Sequence, residues 1–166
     1  MSASSLPVPA GWQTRARAGG AEEGFVGNGT WVHAKDPRYA AHDLITIGCA
    51  DVTRDDYPDP TAALEGSYVR GTAPGVGLVL QFGNAAKAAA FFDRYLAQVR
   101  ACTDPEVVEA TVVPSSKGLI DRRRYPDGRW TEVAARRGDR ATFVILDDGL
   151  QPTSTAAAEK ILDQLR

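Results

Sequence analysis

Apolar and polar positions alternate along most of this chain, in short runs broken by Gly, Pro and Asp, and give way twice to a helical spacing. Alternation with period two is the signature of strands with one buried face. It is read from Trp12 to Ala16 and across a hairpin from Phe25 to Val32 turning at Asn28-Gly29. It is read again from Leu44 to Val52, with Ile45, Ile47 and Cys49 on one face. Further strands are expected at Ser67–Arg70, Val76–Phe82 and Val107–Val113, with a loop over 55–63 and a break at Asp36-Pro37. The meander signal is clearest over Leu119–Tyr125, Arg129–Arg137 and Ala141–Leu146, joined by two Gly-containing turns.

The helical spacing first appears over about 85–102. Asn84 is a good N-cap, and Ala88, Phe92, Leu96 and Val99 form an apolar stripe widened by Phe91, Tyr95 and Cys102. Asp104-Pro105 ends it. It reappears over about 154–165, capped by Thr153 or Ser154, where Ala158, Ile161, Leu162 and Leu165 share a face. Strands with hairpin turns, one central helix and one C-terminal helix give an α+β fold: a single antiparallel, meander-rich sheet with both helices packed on it. Residues 1–10 are small, polar and Pro-containing and are read as a flexible tether. Residues 11–166 are read as one domain, and a monomer is expected.

Composition narrows the function. The 166 residues are 43% hydrophobic and 24% charged, with a net charge of −2. That balance gives no electrostatic case for nucleic acid or an anionic membrane. Contact with a membrane is expected only through an N-terminal anchor, if one preceded this sequence. Gly71 to Gly77 has a phosphate-loop look, but it precedes a strand and lacks the Lys-Ser or Lys-Thr that such a loop needs. The acidic group Asp51, Asp55, Asp56 and Asp59 does not fit a calcium loop, because Asp56 stands where Gly is required and Ala62 where Glu is required. His33 and His42 are the only histidines, and no nucleophile elbow accompanies them. No catalytic residue, cofactor or metal is therefore expected.

Two cysteines, Cys49 and Cys102, are too few for a cysteine-based zinc site. As a disulfide they would close a loop of about fifty residues, for roughly 4 kcal/mol in the chain-entropy picture. As thiols each would pack as a small hydrophobe.

The meander carries the candidate site. If Asp127-Gly128 is a two-residue turn, Tyr125 pairs with Trp130 and Arg123 with Glu132. If Gly138-Asp139 is another, Glu132 pairs with Ile145 and Ala134 with Phe143. One face then holds Arg123, Tyr125, Trp130 and Glu132 beside Phe143 and Ile145. Aromatics beside an ion pair suit the wall of a ligand cleft, and equally a core face with a salt bridge at its rim.

The run from Gly77 through Phe82, Asn84 and Phe91-Phe92 to Cys102, with the opening Leu6-Pro7-Val8-Pro9-Ala10-Gly11-Trp12, resembles exported actinobacterial lipoproteins. It also resembles the extracellular sensor domains of mycobacterial receptor-type serine/threonine kinases, which carry a second cysteine pair that this chain lacks. The resemblance implies an antiparallel sheet with helices against it, a cleft, an extracellular or surface-anchored location and an undefined ligand. An oxidising location is the setting in which Cys49 and Cys102 would be bridged. The reading that follows is a non-catalytic, sensor-like domain binding a small ligand or a protein partner. A small cytoplasmic enzyme or carrier working through Glu132, Arg123 or an Asp is one alternative. A structural interaction domain is the other.

Overall fold

The computed structural model describes residues 1–16, 30–45, 53–102, 106, 108–112, 118–126, 128–149 and 151–166, with the side chains at 111 and 112 excluded. Its described residues form one antiparallel sheet of eight strands and three helices. The strands are β1 (Gln13–Thr14), β2 (Val32–Lys35), β3 (Ala62–Arg70), β4 (Ala73–Gln81), β5 (Val108–Val112), β6 (Gly118–Tyr125), β7 (Gly128–Arg137) and β8 (Arg140–Asp147). Their order is β1-β3-β4-β8-β7-β6-β5, with β2 also on the outer edge of β3. The helices are α1 (Pro37–Ile45), α2 (Ala85–Ala101) and α3 (Thr155–Leu165).

The sheet lies between two helical layers. On one face α1 and α2 cover Leu78, Leu80, Leu119, Ala134 and Phe143, with Phe91, Phe92, Tyr95, Leu96 and Val99 of α2 buried against them. On the other face α3 sets Ala158, Ile161, Leu162 and Leu165 against Ile120, Val133, Val144 and Leu146. The caps work as the sequence implies. Asn84 Oδ1 accepts the Lys87 amide at 2.9 Å, and Ser154 Oγ accepts the Ala157 amide at 3.2 Å.

Three expectations change. The stretch read as a break at Asp36-Pro37 instead starts α1. Asp36 Oδ1 accepts the amides of Arg38 and Tyr39 at 2.9 and 3.1 Å, and Pro37 takes the first helical position, where its missing N–H costs nothing. Leu44 and Ile45, expected to open a strand, therefore end a helix; the rest of that strand, with Ile47 and Cys49, lies outside the described residues. So does the turn at Asn28-Gly29.

β3 runs from Ala62, not from Ser67. Its first half escapes an alternation reading because Glu65 and Gly66 interrupt it. Glu65 is buried opposite His33, with Lys35 Nζ 2.9 Å from its carboxylate. Gly66 lies under the Trp31 ring, where a β-carbon would collide.

The expected tether is laid on the sheet. Leu6 is buried, and the Tyr68 hydroxyl donates to the Pro7 carbonyl at 2.6 Å. Gly77 makes room for that hydroxyl, which a methyl group there would strike.

Candidate functional site

The β6–β7 hairpin pairs Tyr125 with Gly128, Arg123 with Trp130 and Asp121 with Glu132. The expected pairing of Tyr125 with Trp130 is thus corrected by two residues. Pro126 occupies the turn itself, as its fixed φ and missing N–H favour, and Gly128 becomes the first strand residue. A slip of two preserves the face of every side chain. Arg123, Tyr125, Trp130 and Glu132 therefore still share one side of the sheet. The β7–β8 register is as expected, with Glu132 opposite Ile145 and Ala134 opposite Phe143.

What that face holds is a closed charge cluster. Arg123 Nη2 lies 2.8 Å from Glu132 Oε2 and 3.1 Å from Asp121 Oδ2, and it also donates to the Tyr95 hydroxyl. Tyr95, reaching down from α2, donates to Glu132 Oε1 at 2.7 Å. Asp121, Arg123, Glu132 and Tyr95 are all buried. Tyr125 and Trp130 are half-buried at the margin.

One guanidinium faces two carboxylates, and all three groups are buried. Burial pushes the Glu132 carboxyl up to about 7 against the pull of Arg123, with Asp121 adding to the rise. Burial likewise raises Asp121, again against Arg123, and holds the Tyr95 hydroxyl well above the ordinary phenol range. Burial works against the charge on Arg123, but Glu132, Tyr95 and Asp121 more than offset it.

The acidic loop is answered by arginines. Arg54 pairs with Asp59, Arg94 with Asp56 at 2.7 Å, and Arg38 lies 3.7 Å from Asp59. Asp51 lies outside the described residues. His33 is buried beside Glu65 and His42 is exposed on α1. Cys102 caps the C-terminus of α2 and packs half-buried against the core. No described cysteine is free; Cys49, its expected partner, lies outside the described residues.

A cleft of about 350 Å³ opens on the opposite side of the sheet, between the N-terminal segment and the start of α3. Pro9, Ala10 and Trp12 form one wall and Thr153, Ser154, Ala156, Ala157 and Lys160 the other, over Leu146 and Ile161. The Arg70 guanidinium lies over the Trp12 ring at 4.7 Å and donates to the Gln151 carbonyl. The sequence reading missed this site. Its residues come from positions 12, 70, 146, 153 and 160, which are brought together only when α3 packs beside the N-terminal segment. The one local signal is the Pro152-Thr153-Ser154 run ahead of the helix.

The chain resembles the extracellular domain of PknH from Mycobacterium tuberculosis, with a TM-score of 0.50, 13% identity, and coverage of 95% of this chain and 81% of that one. The likeness is one of fold. No protein-family model and no curated protein matches the chain.

Proposed function

We propose that this chain is a non-catalytic, sensor-like domain, exported or surface-anchored, that holds a small ligand in the cleft between its N-terminal segment and α3. The cleft carries the reading. Its volume falls in the range of small-molecule sites, with apolar walls and a few convergent polar groups. The fold shared with the extracellular domain of a mycobacterial kinase supports the sensor-like and extracellular parts. The lipoprotein half of the sequence resemblance supports anchoring. The charge cluster under α2 supports a stabilising role for the groups that an enzyme reading would need, because Glu132 and Arg123 face protein partners there.

The test is a fragment library mapped by amide chemical shifts, together with fractionation of cells expressing the natural gene. Shifts gathered at Ala10, Trp12, Ala156 and Ala157, with the protein in the membrane or extracellular fraction, support the proposal. A library that never perturbs those amides removes the ligand reading and leaves a protein-interaction domain. Recovery in the cytosol removes the exported one.

A further inference from the structure

The cleft beside α3 has a one-sided charge. Among its described lining residues are two cations, Arg70 and Lys160, and no carboxylate. The N-terminus of an eleven-residue helix also opens on it. Ser154 Oγ occupies the Ala157 amide. The amides of Thr155 and Ala156, in the first turn, have no intrahelical acceptor and sit at the positive end of the helix dipole. Such an end favours an anion.

A second observation is independent of the helix. Thr153 lines the same cleft and is only 5% exposed. Its amide donates to Asp148 Oδ1 at 2.8 Å, but its Oγ1 has no hydrogen-bond partner within the protein. Buried hydroxyls are nearly always satisfied, so this one, covered by protein in the free chain, lacks a partner that a water or a ligand would supply once the side chain turns towards the cleft. Pro9, Trp12, Leu146 and Ile161 give the wall its apolar part, and Gln164 adds one neutral polar side chain. Arg70 is held in place from behind by the Trp12 face and the Gln151 carbonyl, so its orientation is set before anything binds.

We propose that the cleft takes a small anionic amphiphile, a carboxylate or phosphate monoester on a short apolar body. The head sits among the first-turn amides of α3, Arg70 and Lys160, and the Thr153 hydroxyl reaches it by rotation of its side chain out of the wall. The apolar body lies along Trp12, Leu146 and Ile161. This assignment rests on the reading of the cleft as the ligand site.

The experiment titrates the full chain with octanoate, octyl phosphate and the neutral octanamide, followed by calorimetry and by the amides of Trp12 and Ala156. The two anions should bind there and octanamide markedly less; whichever anion binds more tightly identifies the head group. Lys160→Glu, on the exposed face of α3, should weaken the anions about fivefold, the scale of one charge near the surface. Thr153→Val should also weaken them about fivefold, the scale of one hydrogen bond, without lowering the melting temperature of the free protein. Octanamide binding as well as octanoate, with Lys160→Glu silent, overturns the anionic assignment while the cleft stands as a ligand site. A Thr153→Val protein that melts earlier yet binds normally gives the hydroxyl a structural role and overturns its part. If none of the three probes moves Trp12 or Ala156, the cleft reading falls and the assignment falls with it.

Discussion

Arg123 Nη2 lies 2.8 Å from Glu132 Oε2 although the two residues are not directly opposite each other. Arg123 faces Trp130 across the ladder, and Glu132 faces Asp121. The bond is a diagonal reach along one face of the β6–β7 hairpin, and Asp121 completes a triangle of charge beneath α2.

Removing the cation from that triangle leaves two buried carboxylates and the Tyr95 hydroxyl facing one another. Arg123→Ala is therefore expected to cost about 3–5 kcal/mol, the usual scale for breaking a buried ion pair from one side. Urea denaturation measures it. A loss below about 1 kcal/mol, typical of exposed pairs, would place Arg123 at the surface. It would also revive the expectation that this face, with Tyr125 and Trp130, meets a ligand.

The same triangle sets a pH dependence. The folded state holds the Glu132 carboxyl near 7, while the unfolded chain titrates it near the ordinary value, about 4.3. Between those limits the folded state binds the extra proton, so this group's contribution is fully present below the unfolded value. It declines as pH rises towards 7, by at most about 1.4 kcal/mol per unit for one proton. Glu132→Gln mimics the neutral form at every pH. Comparing the two proteins by denaturation at pH 5 and pH 8 cancels most other groups. The difference in stability is expected to move in favour of the variant at pH 8. A difference that stays constant, or moves the other way, means that Glu132 is ionised throughout.

Much of this arrangement was legible in the sequence. The cap Asn84, the Thr153-Ser154 pair of which Ser154 is the cap, and the stripes behind them located α2 and α3. Parity along β6 and β7 put Arg123 and Glu132 on one side whichever residues made the turn. Illegible were the contacts that close the face. Tyr95 reads as one more apolar position on a helical stripe, and nothing local says that its hydroxyl meets Glu132. Asp36-Pro37 reads equally as a breaker and as a cap with its first helical residue, and the choice depends on Ala40, Ala41 and Leu44 finding a core. Beyond the Pro152-Thr153-Ser154 run the cleft at α3 has no local pattern, because its two walls lie at opposite ends of the chain.

Cys102 ends α2 on its apolar side, and the expected bridge to Cys49 would fasten that helix over the charge triangle. Protein folded under oxidising conditions and then denatured without reductant should carry no reactive thiol. Its mass should be lower than that of the reduced chain by two hydrogens. Reduction should lower stability by up to roughly 4 kcal/mol, the value for a loop of this length. Two titratable thiols in the unreduced protein would exclude the bridge.

Tyr68 connects the N-terminal segment to the sheet in a way that bears on the cleft. Its ring is buried beside Trp12 and Trp31, and its hydroxyl reaches the Pro7 carbonyl through the space that Gly77 leaves open. Burial raises the pKa of that hydroxyl, so it stays a donor at any physiological pH. Two residues beyond Pro7, Pro9 begins the cleft wall that runs on to Trp12. Tyr68→Phe keeps the ring and removes the donor, leaving the Pro7 carbonyl without it at a cost of about 1–3 kcal/mol. The loss should be local before it is global. The Trp12 amide, bonded to Pro9, and the Arg15 amide, bonded to Ser67, should exchange with solvent faster, while amides of β7 and β8 change little. Ligand binding at the cleft should weaken in step, because half of its wall is then less well held. Unchanged exchange at Trp12 and Arg15 would mean that burial of Leu6 and Trp12 alone keeps the segment down, and that Tyr68 contributes packing without fastening the cleft.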